Sequence, residues 1–338
     1  MRLNLNLKMN YKILFISLLV SIFGLASIAQ ENNSNNLPKP LPGKGLSQFD
    51  FFYAGESKEQ NMYIVKNGQI VWEYKGPKDQ GEISDAVLMT NGNILFAHQH
   101  GVTLISPEKK VLWNYDTPKG CEIHTAQPIG KKYVMFIQNG DSGRVFVVNV
   151  KKNETVKSFT IPINMPPSTH GQFRHARLTA KGTLMVAHMD LGKISEYDSN
   201  GKELFTMSAP GVWGVEPLKN GNILACCRSQ IIEVSNKGEM VWNFQFKDIP
   251  EYNFNSPQVA IRRPNGNTIV GNWFNQWSGS GKVDANNLPI QAIEITPEKK
   301  VVWALRSWTP PADLGPSTII QILDDKSISE HVTFGEFK

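Results

Sequence analysis

Histidine is the residue type whose distribution first suggests chemistry in this chain of 338 residues. Six of the seven histidines fall in one stretch: His98, His100, His124, His170, His175 and His188. Imidazole changes its protonation near neutral pH and can act as a general base, a nucleophile or a metal ligand. Arg174 and Asp190 lie beside two of these histidines, and a guanidinium can bind a carboxylate or a sulfate through two hydrogen bonds. Such chemistry requires a fold that brings these side chains together.

A sequence repeat of about 40 residues indicates the elements that carry them. Four apolar strands share a central tryptophan: Trp72, Trp113, Trp242 and Trp303. An Asn-Gly-Asn turn recurs before an apolar strand, beginning at Asn91, Asn220 and Asn265. Asn-Gly between apolar runs is a strong hairpin signal. The repeat predicts an all-β fold, a single β-propeller of six four-stranded blades whose strands we name a to d, with the tryptophans packed between blades.

The first blade has recognisable strands b, c and d but no strand a. Strand b is predicted at Phe51–Ala54, strand c at Met62–Val65 and strand d at Ile70–Tyr74. We expect the C-terminal segment Thr318–Leu323 to complete this blade. Such closure joins the two ends of the chain and leaves no open sheet edge.

The two faces of the predicted propeller differ in composition. Strand a lines the channel, and counting back from the a–b turns gives one ring of residues at its mouth: Asp85, His124, His175, Gly214 and Val259, preceded by Ser84, Ile123, Arg174, Trp213 and Gln258. Strand b gives a second ring with the residues that follow it: His98, Gln138, His188, Cys227 and Asn272, then His100, Asp190, Arg228 and Trp273. Trp277 and Trp308 lie in loops of the same face. The short turns of the other face are predicted to have no function.

The candidate catalytic residues are therefore His124, His175 and Arg174. The candidate substrate-binding residues share the predicted face: Asp85, His98, Gln138, His188, Asp190, Trp213, Arg228, Asn272, Trp273, Trp277 and Trp308. The leading hypothesis is that this face binds, and could cleave, an extracellular glycan. Tryptophans stack on sugars, an arginine would neutralise an acidic sugar, and His124 or His175 would take the adjacent proton.

Three other interpretations stay open at this stage. A channel histidine could be the nucleophile that carries a sulfuryl or phosphoryl group, with a second histidine and Arg174 stabilising the charge. The pairs His98-x-His100 and His188-x-Asp190, together with His124 and His175, could bind a divalent metal, although the spacing is too weak to assign ligands. The protein could also be a non-enzymatic protein-binding scaffold, because the fold does not determine function.

The repeats resemble the quinoprotein-like β-propeller superfamily, known for PQQ-like repeats. The resemblance rests on the Asn-Gly-Asn-Ile-Leu turn and the Gly-x-Val-x-Trp strand, from Phe51 to Leu323. The segments Glu122–Thr125, Gly171–Arg177 and Asn272–Trp277 look like those of uncharacterised secreted bacterial propellers.

Two better-known families are more distantly similar. Arylsulfate sulfotransferases are six-bladed periplasmic propellers with a channel histidine as nucleophile, which implies roles for His124, His175 and Arg174. Quinoprotein alcohol dehydrogenases have a vicinal disulfide, which Cys226-Cys227 resembles, but they have eight blades. We therefore do not expect PQQ, and a divalent metal is the one cofactor interpretation that stays open.

The N-terminus has the order of a secretory signal peptide over residues 1–29. Arg2, Lys8 and Lys12 precede the apolar run Ile13–Phe23, and Ser27-Ile28-Ala29 is a small-residue cleavage site. The run is shorter than the roughly 20 residues that a membrane span needs, and no cysteine near the cleavage point suggests a lipid anchor. We expect a secreted or periplasmic protein with a linker over residues 30–45 and the propeller over 46–338.

Composition narrows the partners further. The three cysteines, Cys121, Cys226 and Cys227, are an odd number in a chain predicted to be exported, so a disulfide framework is not expected. The net charge of +5 includes three positive charges of the predicted signal peptide, and no basic run interleaved with aromatic residues occurs. Nucleic acid is therefore excluded as a partner, and an oligo- or polysaccharide is the expected one.

Overall fold

The computed structural model describes residues 40–56, 60–254, 256–274, 287–309, 312–325 and 331–338. These residues form six four-stranded antiparallel sheets and one short two-stranded hairpin. The predicted six-bladed β-propeller is confirmed. Among the described residues no helix is long and apolar enough to span a membrane.

The strands follow one another blade by blade. Blade 1 begins with β1 (Phe51–Glu56), β2 (Gln60–Lys66) and β3 (Gln69–Lys75). Blade 2 contains β4 (Ile83–Leu88), β5 (Ile94–His98), β6 (Gly101–Ile105) and β7 (Val111–Asp116). Blade 3 contains β8 (Glu122–Ile129), β9 (Tyr133–Asn139), β10 (Gly143–Asn149) and β11 (Glu154–Ile161). Blade 4 contains β12 (Phe173–Leu178), β13 (Leu184–His188), β14 (Lys193–Tyr197) and β15 (Glu203–Ser208).

The remaining strands complete the ring. Blade 5 contains β16 (Val212–Pro217), β17 (Ile223–Cys227), β18 (Gln230–Val234) and β19 (Met240–Gln245). Blade 6 contains β20 (Pro257–Arg262), β21 (Thr268–Asn272), β22 (Ala292–Ile295) and β23 (Val301–Leu305). A hairpin of β24 (Trp308–Thr309) and β25 (Ala312–Asp313) precedes β26 (Ser317–Ile322).

The C-terminal strand closes the ring as predicted. β26 pairs antiparallel with β1, with Phe51 opposite Ile322 and Ala54 opposite Ile319. The next residue of β1, Gly55, lies so close to the β24–β25 hairpin that a Cβ there would be 2.0 Å from the carbonyl oxygen of Leu314. Only glycine fits at this position.

The recurrent tryptophans pack between blades. The indole N–H groups of Trp72, Trp113 and Trp242 each donate to the c–d turn of a neighbouring blade, at Pro107, Asn153 and Pro297. Trp303 of blade 6 instead donates to the carbonyl of Gly45. The first three indoles thus each join their own blade to the next one. Such contacts stabilise the ring, since a single blade cannot bury both of its faces by itself.

The segments before β1 and after β26 add contacts outside the blades. The amide of Ala304 in β23 donates to Pro42, so contacts with the propeller begin before residue 46. The C-terminal tail places the buried residues Val332, Phe334 and Phe337 against blades 3 and 4. Cys226 and Cys227 are free and buried, and they face different hydrophobic clusters on the two sides of β17.

Each strand a carries a one-residue β-bulge where it enters the channel. In blade 2, Ile83 pairs with His98 and Asp85 with Ala97, so Ser84 is the extra residue. The same shift occurs in the other five blades. In this register the extra positions are Ser84, His124, Arg174, Trp213, Gln258 and Thr318. A bulge breaks the alternation of side chains and re-aims the residue that it contains.

Candidate functional site at the channel mouth

The pairing of strands a and b corrects the predicted alignment of the mouth residues. The sequence count grouped His124 with Asp85 and His175. In the structure His124 corresponds instead to Ser84 and Arg174, and Thr125 corresponds to Asp85 and His175. The count was wrong by one position because the a–b turn of blade 3, Gly130-Lys131-Lys132, lacks the Asn-Gly pair that marks the turn in blade 2.

Arg174 is the centre of a buried polar cluster at the mouth. Its side chain is 3% exposed, and Nη1 donates to the carboxylate of Glu82. The same nitrogen lies 3.1 Å from Nδ1 of His124, and Nη2 lies 2.5 Å from Nε2 of His170. One guanidinium therefore links side chains from blades 2, 3 and 4.

His170 is the accessible imidazole of this cluster, with its side chain 52% exposed. It lies in the short 3-10 turn Thr169–Gly171 before blade 4. Its Nδ1 is 2.8 Å from Oε2 of Glu122. Because the guanidinium can only donate, Nε2 must accept from Arg174 and Nδ1 donates to Glu122. This arrangement leaves Nε2 unprotonated, with its lone pair accepting from Arg174, and places a carboxylate behind the ring.

His124 bridges two carboxylates below His170. Nε2 lies 2.9 Å from Glu122, and Nδ1 lies 3.0 Å from Glu82 and 2.9 Å from Oγ of Ser84. The side chain is fully buried. Burial acts to raise the pKa of Glu122, but hydrogen bonds from His124, His170 and Gln99 outweigh it and hold that pKa well below the ordinary value. Glu122 therefore orients both imidazoles as an anion.

A second pair of carboxyl groups lies at the boundary of blades 1 and 2. Burial acts to raise the pKa of Glu82, but His124 and Arg174 outweigh it and hold the pKa well below the ordinary value. Glu56 lies next to Glu82, and burial followed by the Glu82 charge raises the pKa of Glu56 to about 8. The indole N–H of Trp273 donates to Glu56, and Trp213 packs against Trp273 with ring centroids 5.4 Å apart.

Asp85 and His175 lie deeper in the channel. Asp85 is fully buried and forms two hydrogen bonds with the guanidinium of Arg177, at 2.8 and 2.9 Å. Thr125 donates to the same carboxylate at 3.1 Å. Nδ1 of His175 is 3.8 Å from Asp85, and burial lowers the pKa of His175 to about 4. These contacts join blades 2, 3 and 4 below the mouth.

The predicted ring from strand b does not converge on this cluster. His98 contacts the hydroxyl of Thr103 at 3.0 Å, and His188 contacts that of Tyr197 at 2.9 Å. Burial lowers their pKa values to about 4 and about 3, respectively. Asn272 is buried and donates to the carbonyl of Ile290. Gln138 accepts from the hydroxyl of Tyr115. His98, His188 and Asn272 stabilise their own blade or the loops next to it, and Gln138 of blade 3 is bonded to blade 2.

The other predicted binding residues have separate surroundings. Asp190 accepts from the amide of Asn164 at 2.7 Å. Arg228 is exposed. Trp308 donates to the carbonyl of Pro289 at 2.8 Å and packs on Phe274. Trp277 lies outside the described residues. Of the predicted residues, His124, Arg174, Trp213 and Trp273 belong to the mouth cluster, and Asp85 and His175 to the layer beneath it.

A divalent metal fits this cluster poorly. Within the described part of the chain, Glu82, His124 and His170 offer ligand atoms that lie within 4.8 Å of one another. Arg174 already contacts all three side chains. Because a guanidinium and a metal ion are both cations, they cannot share this space. The donor set is therefore filled by an arginine, and His98 and His188 are engaged elsewhere.

The channel also contains a cavity of about 560 Å³ near the a–b turns, on the face predicted to have no function. Gln127, Arg177 and Glu216 line it together with apolar residues. Burial raises the pKa of Glu216 to about 7. This cavity is separate from the histidine cluster, although Arg177 borders it and holds Asp85.

Sequence reasoning did not select Glu56, Glu82, Glu122 or His170 as site residues. A signal for two of them was present, because Glu82-x-Ser84 and Glu122-x-His124 repeat the same spacing at the start of strand a. Alternation in a strand places residues i and i+2 on one side. No comparable spacing marks Glu56 or His170 in the sequence. These two residues reach the mouth only because the ring closes.

Comparison with known proteins supports the fold and adds one functional indication. The family model described as arylsulfotransferase (ASST) matches residues 57–209, less than half of the chain. The matched range contains Glu82, Glu122, His124, His170 and Arg174. No curated protein matches. The quinoprotein-like resemblance stays a prediction.

Several solved structures share the propeller. A protein of unknown function from Bacteroides caccae is 24% identical, with a TM-score of 0.69, covering 80% of this chain and 98% of that chain. Virginiamycin B lyase from Staphylococcus aureus is 14% identical, with a TM-score of 0.50, covering 70% of this chain and 73% of that chain. At these identities the likeness extends to the fold alone.

Proposed function

We propose that this protein is an exported enzyme that transfers a sulfuryl group from an aryl sulfate to an acceptor hydroxyl, with His170 as the nucleophile. The observation that carries the proposal is the order Glu122, His170, Arg174. A carboxylate accepts from Nδ1, and the unprotonated Nε2 accepts from a guanidinium that can transfer its hydrogen bond to a sulfate oxygen. A nucleophilic histidine needs an orienting base behind the ring and a cation beside the reacting atom.

Arg174 is suited to the charge of a sulfate ester. In the free protein it donates to His170, and an arriving sulfate oxygen would replace the imidazole as its acceptor. Glu82 and Glu122 would repel an anion, but each is paired with a cationic or hydrogen-bond-donating partner in Arg174, His124 and His170. The pairing reduces the repulsion, because the field of a carboxylate is partly cancelled by a cation in contact with it.

The candidates His124 and His175 are less suited to attack. Both side chains are almost completely buried, whereas that of His170 is half exposed. We assign His124 a positioning role, since it holds Glu122 and Glu82 in place around His170 and Arg174. The arylsulfotransferase match supports the reaction class, because its range contains this whole constellation.

The test is turnover of 4-nitrophenyl sulfate in the presence of a phenol acceptor. The purified wild-type protein is expected to release 4-nitrophenol and to gain the mass of one sulfuryl group on His170 when the acceptor is omitted. His170→Gln should lower turnover by about a thousand-fold or more and abolish the adduct. His100→Gln is the matched control, because His100 is exposed on the same face but outside the cluster.

Absence of both turnover and adduct in the wild-type protein, across several aryl sulfates, would contradict the proposal. Equal activity of the wild-type protein and His170→Gln would show that another residue is the nucleophile. Capture of a protein partner without turnover would support the scaffold alternative instead.

Cleavage of an acidic glycan is the second candidate. It is favoured by the partly exposed Trp213 next to Trp273 and Glu56, since such a platform can bind a sugar face. Arg174 would neutralise the uronate and His170 would take the proton beside it. An unsaturated product released from a uronate-containing oligosaccharide, with no reaction on aryl sulfates, would support this candidate over sulfuryl transfer.

Export rests on the signal-peptide pattern of residues 1–29, which lie outside the described residues. Expression of the full chain in a bacterial host should yield a periplasmic protein whose N-terminus begins near Gln30. Retention of Met1 in a cytoplasmic protein would contradict export without affecting the proposed chemistry.

A further inference from the structure

A buried carboxyl group from blade 1 lies at the mouth beside Glu82. Glu56 ends β1 and is 6% exposed. It accepts a hydrogen bond from the indole N–H of Trp273 in blade 6 and lies beside Glu82 of blade 2. Glu56 precedes the range matched by the family model, so nothing in that match assigns it a role.

The surrounding charges determine which of the two carboxyl groups keeps a proton. Two adjacent buried carboxylates cannot both ionise without a large cost. Glu82 contacts Arg174 and His124 and therefore carries the negative charge. Glu56 has a neutral indole as its hydrogen-bond donor, and Arg174 acts on it only from a distance. Burial and the charge of Glu82 raise the pKa of Glu56 to about 8, in agreement with this division.

An aromatic surface lies next to this acid. Trp273 is almost completely buried and fixes Glu56, whereas Trp213 is partly exposed and packs on Trp273 at 5.4 Å. The side of Trp213 not covered by Trp273 can stack with another ring, an arrangement that is favourable for aromatic pairs.

We propose that Glu56 is the proton donor to the departing aryl oxygen and that Trp213 and Trp273 form the subsite for the aryl group. This inference rests on the proposed sulfuryl transfer. Nε2 of His170 forms a bond to sulfur while the bond between sulfur and the aryl oxygen breaks. The electron pair of that bond stays on the aryl oxygen, which takes the proton of Glu56 and leaves as a phenol.

The second half of the reaction restores both groups. The acceptor hydroxyl attacks the sulfur of the sulfohistidine, and the bond between sulfur and Nε2 breaks with its electrons returning to the imidazole. The carboxylate of Glu56 takes the proton of the acceptor. A sulfate ester leaves, and Glu56 is protonated for the next cycle.

The test compares aryl sulfates whose phenols differ in acidity. 4-Nitrophenolate leaves easily without a proton, whereas the phenolate of phenyl sulfate needs one. Glu56→Gln keeps the shape of the side chain and can still accept from Trp273. In a single turnover with the acceptor omitted, it should release 4-nitrophenol from 4-nitrophenyl sulfate at nearly the wild-type rate and phenol from phenyl sulfate about 100-fold more slowly, in line with the loss of a general acid.

Glu216→Gln is the matched control, because Glu216 is another buried carboxyl with a raised pKa but lines the opposite end of the channel. It should leave both substrates unaffected. Trp213→Ala should raise KM for aryl sulfates with little change in kcat. Equal loss on both substrates in Glu56→Gln, or no loss on either, would overturn the role of Glu56 while the wild-type activity keeps the proposed function intact.

The pH profile of the wild-type protein is an independent readout that needs no variant. With the acceptor omitted, the rate of phenol release from phenyl sulfate should fall as pH rises through about 8, since the acid is then lost, and the rate of 4-nitrophenol release from 4-nitrophenyl sulfate should show no such limb. Identical alkaline limbs for both substrates would overturn the inference. No wild-type turnover of any aryl sulfate would instead overturn the proposed function itself.

Discussion

The histidines of this molecule have different roles, and the partners of each imidazole determine its role. His170 is half exposed and stands between Glu122 and Arg174. His98 and His188 are buried inside their blades against hydroxyl groups. Sequence position alone groups all three on one face, but only His170 has the carboxylate and the accessibility that chemistry requires.

The buried histidines predict a pH dependence of stability. The pKa of His188 is about 3 in the folded protein, below its usual value of 6.5. A lowered pKa contributes stability that is present above pH 6.5 and is lost as pH falls toward 3. Relative to His188→Gln, which stays neutral, the wild-type protein should lose about 2 to 3 kcal/mol between pH 7 and pH 4.5.

Urea unfolding at the two pH values measures this difference. Comparison with the variant is essential because the protonation of Glu56 and Glu216 changes the free energy of unfolding with pH in the opposite direction. Their pKa values are raised to about 8 and about 7, so their contribution grows as pH falls toward 4.5. A pH-independent difference in the free energy of unfolding between the wild-type protein and His188→Gln would contradict the prediction.

At the scale of elements, the bulged start of strand a is the unit that builds the site. Side chains from blades 2, 3 and 4 meet because each strand a gains one residue as it enters the channel. Below the bulges, Asp85 of β4 reaches Arg177 of β12 and Thr125 of β8. This ion pair holds three blades in register under the cluster.

Loss of the Asp85 charge should therefore weaken the fold. Asp85→Asn leaves the guanidinium of Arg177 without its carboxylate, and breaking such a buried pair costs about 3 kcal/mol or more. Urea unfolding should show the loss, and a second substitution, Arg177→Met, should restore part of it. Asp190→Asn is the control, since Asp190 accepts only from backbone at a partly exposed position. Equal stability of the two Asn variants would argue against a structural role for the pair.

At the scale of the whole molecule, closure by β26 determines whether a ring forms at all. Without β26 the inner edge of β1 is unpaired, and exposed edges lead to aggregation. A chain ending after Leu314 lacks β26 and should be insoluble or lack a cooperative unfolding transition. A chain ending after Asp325 keeps β26 and should fold. It should melt at a lower temperature than the full-length protein, because it loses the buried side chains of Val332, Phe334 and Phe337. Circular dichroism melts measure both. A soluble, cooperatively melting chain that ends after Leu314 would contradict this account.

The local pattern of the sequence was sufficient to predict the architecture. Asn-Gly turns, tryptophan-centred strands and the missing first strand a depend on short-range hydrogen bonding and on side-chain alternation, which the sequence displays directly. The strands of blade 1, the closing strand and the packing role of the tryptophans were therefore predictable.

The composition of the site depended on the tertiary structure. The a–b turn of blade 3 has no Asn-Gly pair, so the count back from that turn misplaced His124 by one position. Glu56 and Trp273 are separated by 217 positions and meet only because the ring closes. The sequence determined which face collects polar and aromatic side chains, but the closed ring decided which of them touch, because contact across a channel depends on the positions of all six blades.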